Sequence, residues 1–269
     1  MIVTVRQFCL RLLQSGDLAT KLAPPRTPDG GRLDDRDPGP PLLVEAPARE
    51  PALRLQKGAG KLPSLAELRD PAARVRTLAR FAHHELMAAE LFAWALLLWP
   101  DLPPSLRRGF LGALEEEQIH LGLYLERLAA HGARLGDEPL SDYFWQHAPA
   151  IAAGGPKAFL AAMGLTFEQA NLDFTLLYRD AFRAAGDEET AQVLQRVHDD
   201  EIGHVRLAAV WIRRLAGEIS EREAYAASVP FPLSAARAKA RRFDVKARRR
   251  AGLSDDFIEF VRAARPYQR

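Results

Sequence analysis

Two short patterns in this chain repeat one another: Glu117-Gln118-Ile119-His120 and Glu201-Ile202-Gly203-His204, each a glutamate followed three residues later by a histidine. On an α-helix, positions i and i+3 project from one face, so a carboxylate and an imidazole at that spacing can grip one ion. A single pair of this kind is a common coincidence. A pair on each of two long helical segments restricts the fold to one that gathers helices around metal.

Four long segments read as helices. The first runs from about Asp70 to Trp99, with Pro71 near its start and Pro100 just past its end. The second runs from about Pro104 to His131 and stops at Gly132, the third from about Pro156 to Ala185 and stops at Gly186, and the fourth from Asp187 to about Leu215 or Gly217. Pro just inside a helix start and Gly just past its end are the expected punctuation. Connections 1–2 and 3–4 are a few residues long, so each pair should form an antiparallel hairpin. The connection from Gly132 to Gly155, which carries Tyr143-Phe144-Trp145, is much longer. Two hairpins joined by one long crossover give an all-α, ferritin-like four-helix bundle. No segment alternates like a strand, and no Gly-rich nucleotide loop or Gly-x-Ser-x-Gly element is present.

Such a bundle needs one more glutamate on helix 1 and one on helix 3. Helix 3 offers Glu168, which lies 33 residues before Glu201; helix 1 offers Glu85, 32 residues before Glu117, and Glu90, only 27 before it. Ligands at one depth in an antiparallel hairpin lie about equally far from the turn, so Glu85 is chosen. The expected metal ligands are therefore Glu85, Glu117, His120, Glu168, Glu201 and His204. Surface charge on amphipathic helices explains any one of them, but not six at matched spacing. Four carboxylates and two imidazoles suit two iron ions, with manganese or a mixed Mn/Fe pair also accommodated, better than structural zinc.

An acid recurs five residues after each helix-1 and helix-3 ligand, as Glu90 and Asp173. Five residues rotate by roughly 140°, so these acids should face away from the metals and pair with the arm or an adjacent helix. His83, His84 and His198 are read as ordinary polar or hydrogen-bonded side chains before second-sphere donors, and Tyr124 as core as readily as site.

The rest of the chain frames the bundle. Residues 1–22 read as a short helix, and the Pro-, Gly- and Arg-rich stretch from Pro24 to Pro63 as an extended arm that docks through Leu42, Leu43, Val44, Leu53 and Leu55. The expected division is 1–69 for the N-terminal segment and wrapping arm, 70–217 for the bundle, and 218–269 for a basic, helical C-terminal tail. One cysteine, Cys9, excludes an internal disulfide. Arg6 and Arg11 interrupt any signal-peptide core, and the apolar run Leu91–Trp99 is too short to span a bilayer. A cytoplasmic location is the expectation. The net charge is +2, but the stretch Arg237–Arg250 alone carries +7, so the remainder is at −5. Such a run more often pairs within its own domain than binds nucleic acid.

The stretch from His84-Glu85-Leu86 to Glu90, the two Glu-x-x-His pairs, Asp142-Tyr143-Phe144-Trp145 and Thr166 through Phe174 resemble a bacterial domain-of-unknown-function group within the ferritin-like superfamily. The resemblance extends over most of the chain and implies a diiron carboxylate site at the six matched positions. It names no substrate. The leading expectation is an oxygen-activating oxidase or monooxygenase, taking dioxygen, an unknown substrate and, for a monooxygenase, an electron donor. The alternatives are a ferroxidase or iron-handling protein, marked by iron oxidation without an organic product, and a tRNA-modifying hydroxylase using the basic tail, marked by salt-sensitive tRNA binding. A monomer or small homo-oligomer is expected.

Overall fold

The computed structural model describes residues 2–58 and 60–266. The protein is all-α, with 66% of it helical. By internal contacts it divides into two units, Met1–Gln146 and His147–Arg269.

The first unit opens with α1 (Val5–Gln14), capped by a reciprocal box between Thr4 and Gln7, and α2 (Leu18–Leu22), capped by Asp17. Residues 1–22 thus form two helices rather than one, because Ser15-Gly16-Asp17 gives a break and a fresh N-cap. In α1, Val5, Phe8, Cys9, Leu12 and Leu13 are buried, the spacing of one apolar face. Next come a two-residue strand β1 (Leu55–Gln56) and the long hairpin of α3 (Pro71–Leu98) and α4 (Pro104–Ala130), with α1 packed on α3 and α2 on α4. β2 (Leu140–Ser141) pairs parallel with β1, a small ladder that no alternating pattern announced.

Nearly every residue of α3 from Thr77 to Leu97 is buried, which one partner helix cannot achieve. The arm supplies the remaining cover. Leu42 N–H donates to the Leu97 carbonyl (2.9 Å), and Trp94 Nε1 donates to the Val44 carbonyl (3.0 Å). Arg107 of α4 makes a two-pronged ion pair with Asp35 (2.6 and 2.8 Å).

Beneath the arm lies Glu90, fully buried. Lys21 Nζ approaches its Oε1 at 2.8 Å, Arg49 grips both oxygens at 2.7 and 2.8 Å, and Trp145 Nε1 donates to Oε2 at 3.0 Å. Lys21 is itself completely buried, and burial draws its ammonium below the usual range while Glu90 opposes that fall.

The second unit begins with α5 (Ala148–Phe159), interrupted at Gly155, where φ is 74°. From Pro156 the chain runs helically to α6 (Gln169–Ala184), but residues Leu160–Glu168 are π-helical rather than α-helical. Sequence periodicity did not signal that stretch. Two contacts explain it. Thr166 Oγ1 donates to the Ala161 carbonyl (2.7 Å), five residues back, and a Cβ on Gly164 would stand 2.2 Å from the Cβ of Ala208. The widened coil therefore sits hard against α7 (Glu188–Ala216) at a residue with no side chain.

Gly186 (φ 81°) closes α6 as Gly132 (φ 73°) closes α4. In each case the next N–H reaches back to a carbonyl of the last turn, Asp187 to Phe182 (2.9 Å) and Ala133 to Leu128 (3.0 Å).

Three short helices complete this unit, α8 (Glu221–Ser228), α9 (Val245–Arg250) and α10 (Asp255–Ala263). They are held by Asp173, also fully buried. Arg248 binds both its oxygens (2.7 and 2.9 Å), and the N–H groups of Ala240 (3.0 Å) and Asp244 (2.7 Å) complete the ring. Much of the basic stretch is paired inside the unit: Arg242 with Asp180, Arg249 with Asp255, and Arg250 with Asp199.

One helical run, Trp145–Ala184, is long and apolar enough to cross a membrane by length and composition, which the sequence reading did not anticipate. Its most apolar window is 61% buried inside the protein, as befits a core helix.

Breaking a buried ion pair on one side strands a charge and costs about 3–5 kcal/mol. Glu90→Ala and Asp173→Ala should each lower urea-unfolding stability by about that amount. Trypsin should then open the arm in the first variant and the 237–250 stretch in the second. Wild-type midpoints and digestion patterns in both would contradict this role for the two acids.

Candidate metal centre

Within the first unit, Glu85 projects from α3 and Glu117 and His120 from α4, and 5% or less of each is exposed. One ligand atom from each lies within 4.8 Å of the others. Glu117 Oε2 is 3.8 Å from His120 Nδ1. The four residues of this pattern divide by helix face. Glu117 and His120 point into the core, Ile119 is exposed, and Gln118 turns to α2, where its Nε2 donates to the carbonyls of Lys21 (2.7 Å) and Ala23 (2.8 Å).

The second unit repeats the arrangement. Glu168, the last residue of the π-helical stretch, and Glu201 and His204 of α7 are all buried, with one ligand atom from each again within 4.8 Å of the others. Glu201 Oε2 lies 3.2 Å from His204 Nδ1. Here a further side chain enters. Asn171 Nδ2 donates to Glu201 Oε1 at 2.9 Å and stands 3.5 Å from Glu168 Oε2. Sequence reading missed Asn171; its only signal was its place three residues after Glu168, on the ligand face.

The donor set of each triad, two carboxylates and an imidazole without a thiolate, fits a hard or borderline divalent ion. Bringing two carboxylates together in a buried site is costly unless a cation or donors offset the charge. Cys9 is no competing ligand: it is fully buried in α1, and burial pushes its thiol far above the normal range, Arg107 opposing and Asp35 adding slightly.

The remaining candidates lie outside the triads. Glu90 and Asp173 face the arm and the α9 region, as their rotation from Glu85 and Glu168 predicts. His84 stacks on Phe144 at 5.1 Å, and burial, with help from Arg80, draws its pKa down to about 4. His83 is fully buried and its pKa falls well below the ordinary value, first through burial and then through Arg49, His84 and Arg80. His198 lies between Asp199 (3.2 Å) and Asp244 (3.5 Å), and Tyr124 is core, its ring 5.6 Å from that of Phe81.

Fold and site together define an all-α protein in which each unit buries a glutamate–glutamate–histidine group able to hold a metal ion. The chain belongs to the family described as protein of unknown function (DUF455), whose model matches residues 13–259 and so includes both triads. No curated protein and no solved structure matches it.

Divalent metal should stabilise this protein by mass action, by about 2.7 kcal/mol at one hundred times the dissociation constant. The thermal midpoint should therefore rise with added Fe(II) or Mn(II) under anaerobic conditions and fall back with chelator. Glu117→Ala and Glu201→Ala should each bind less metal per chain by elemental analysis, and full stoichiometry in both would place the ions elsewhere.

Proposed function

We propose that this protein is a ferritin-like diiron (or Mn/Fe) carboxylate oxidoreductase, in which the two hairpins form one four-helix bundle and the two triads together hold two ions. The observation that carries this reading is the duplicated buried triad, Glu85–Glu117–His120 and Glu168–Glu201–His204. Glu117, His120, Glu201 and His204 would serve as terminal ligands, and Glu85 and Glu168, alone on their helices, as the carboxylates that bridge. When bound, such a metal pair supplies the reduction of dioxygen, which protein side chains cannot perform. The protein's part is to fix the carboxylates and keep bulk water from the reacting centre. The apolar neighbours Ala88, Ala89 and Phe92, all buried, suit that task in the first unit.

Oxidation of a substrate is favoured over iron storage. Storage shells tile helix bundles through free outer faces. In this chain the arm covers α3, and α8 to α10 pack around the π-helical stretch, α6 and α7. The internal pairing of Arg242, Arg248, Arg249 and Arg250 likewise favours a structural task for the basic stretch over nucleic-acid binding.

The test joins solution mass with oxygen uptake. The anaerobically iron-loaded protein should be a monomer or small oligomer that takes up few irons per chain. It should consume oxygen faster when a substrate-bearing cell extract is added. A shell-sized assembly that mineralises many irons per chain would sink the oxidase reading.

A further inference from the structure

The two triads share their ligand types but not their surroundings. In the second, one amide joins two carboxylates carried by different helical segments: Asn171 Nδ2 donates to Glu201 Oε1 at 2.9 Å and lies 3.5 Å from Glu168 Oε2. The other Glu201 oxygen, Oε2, faces His204 Nδ1 at 3.2 Å. Glu201 is thus oriented at both ends, with the oxygen nearer the imidazole left as the one to present to an ion. An amide suits this task because it donates hydrogen bonds to carboxylates while adding no charge of its own.

The first hairpin has no such group. Three residues after Glu85, where Asn171 stands relative to Glu168, is Ala88, a buried methyl that can donate nothing. The correspondence between the hairpins holds at the ligands and at the acids five residues on, Glu90 and Asp173, and fails at this one position. The backbones differ too, since Glu85 rides an uninterrupted α-helix whereas Glu168 ends a π-helical stretch.

Resting on the metal-binding reading above, we propose that Asn171 is a positioning residue that makes the two metal positions unequal, so that the Glu168–Glu201–His204 triad takes the first ion. A ligand already held near its bound orientation loses less freedom on binding, and outer donors of this kind commonly change metal affinity by roughly 10–100-fold.

The test titrates the full-length, metal-free protein anaerobically with Co(II), followed by calorimetry and by the cobalt visible bands, and repeats the titration with Fe(II). Wild-type protein should fill in two steps at least about tenfold apart. Asn171→Ala should weaken the tighter step by roughly 10–100-fold, shift its cobalt bands and leave the weaker step in place, with an unchanged metal-free thermal midpoint. Glu117→Ala should remove the weaker step and spare the tighter one. That second variant keeps the assignment decidable even if Asn171→Ala does not fold. The proposal is overturned if Asn171→Ala weakens both steps alike or neither, or if Glu117→Ala abolishes the tighter step. Wild-type protein that binds neither ion overturns the metal reading itself, and the inequality with it.

Discussion

Two carboxylates with no access to water, Glu90 and Asp173, organise what surrounds the long helices. A buried carboxylate is tolerated only when cations or N–H donors replace its hydration. Each of these acids therefore recruits a distant part of the chain within its own unit. Glu90 draws in Lys21 from α2, Arg49 from the Pro-rich arm and Trp145 from the connection after α4. Asp173 draws in Arg248 and the backbone N–H groups of Ala240 and Asp244. Segments with little regular structure of their own become ordered because an unpaired charge inside would cost more than fixing them does.

The same helices serve a second purpose on another face. From Glu85 to Glu90, and from Glu168 to Asp173, five residues turn the side chain by roughly 140°. One acid thus joins a metal-binding triad while the next anchors the cover. Gln118 shows this division at its finest. It sits inside the Glu-x-x-His pattern, yet its amide holds the carbonyls of Lys21 and Ala23. Metal ligands and cover are consequently coupled through rigid helix, so a loss of the cover would loosen the elements that aim the ligands.

Departures from internal symmetry carry the chemical content. Matched triads alone would imply two alike positions. The π-helical stretch before Glu168, pressed against Ala208 through the bare Gly164, and the amide of Asn171 distinguish the second triad. Both features belong to α6, α7 and the segment preceding them, and neither changes the identity of a ligand.

The sequence by itself determined the helical class, the stops at Gly132 and Gly186, and the choice of Glu85, Glu117, His120, Glu168, Glu201 and His204 as candidates. These follow from local rules, since helix periodicity, terminal glycine geometry and i, i+3 spacing act over a few residues. It also placed Glu90 and Asp173 off the ligand face, because rotation per residue is fixed. Only the tertiary structure decided which cations meet those acids. Lys21 and Arg49 lie 69 and 41 residues before Glu90, and Arg248 lies 75 after Asp173. No local preference selects among dozens of arginines across such distances. The π-helical stretch was hidden for a related reason: its backbone yields to the packing of Gly164 on Ala208, and a periodic pattern in the sequence cannot record a contact made with another helix.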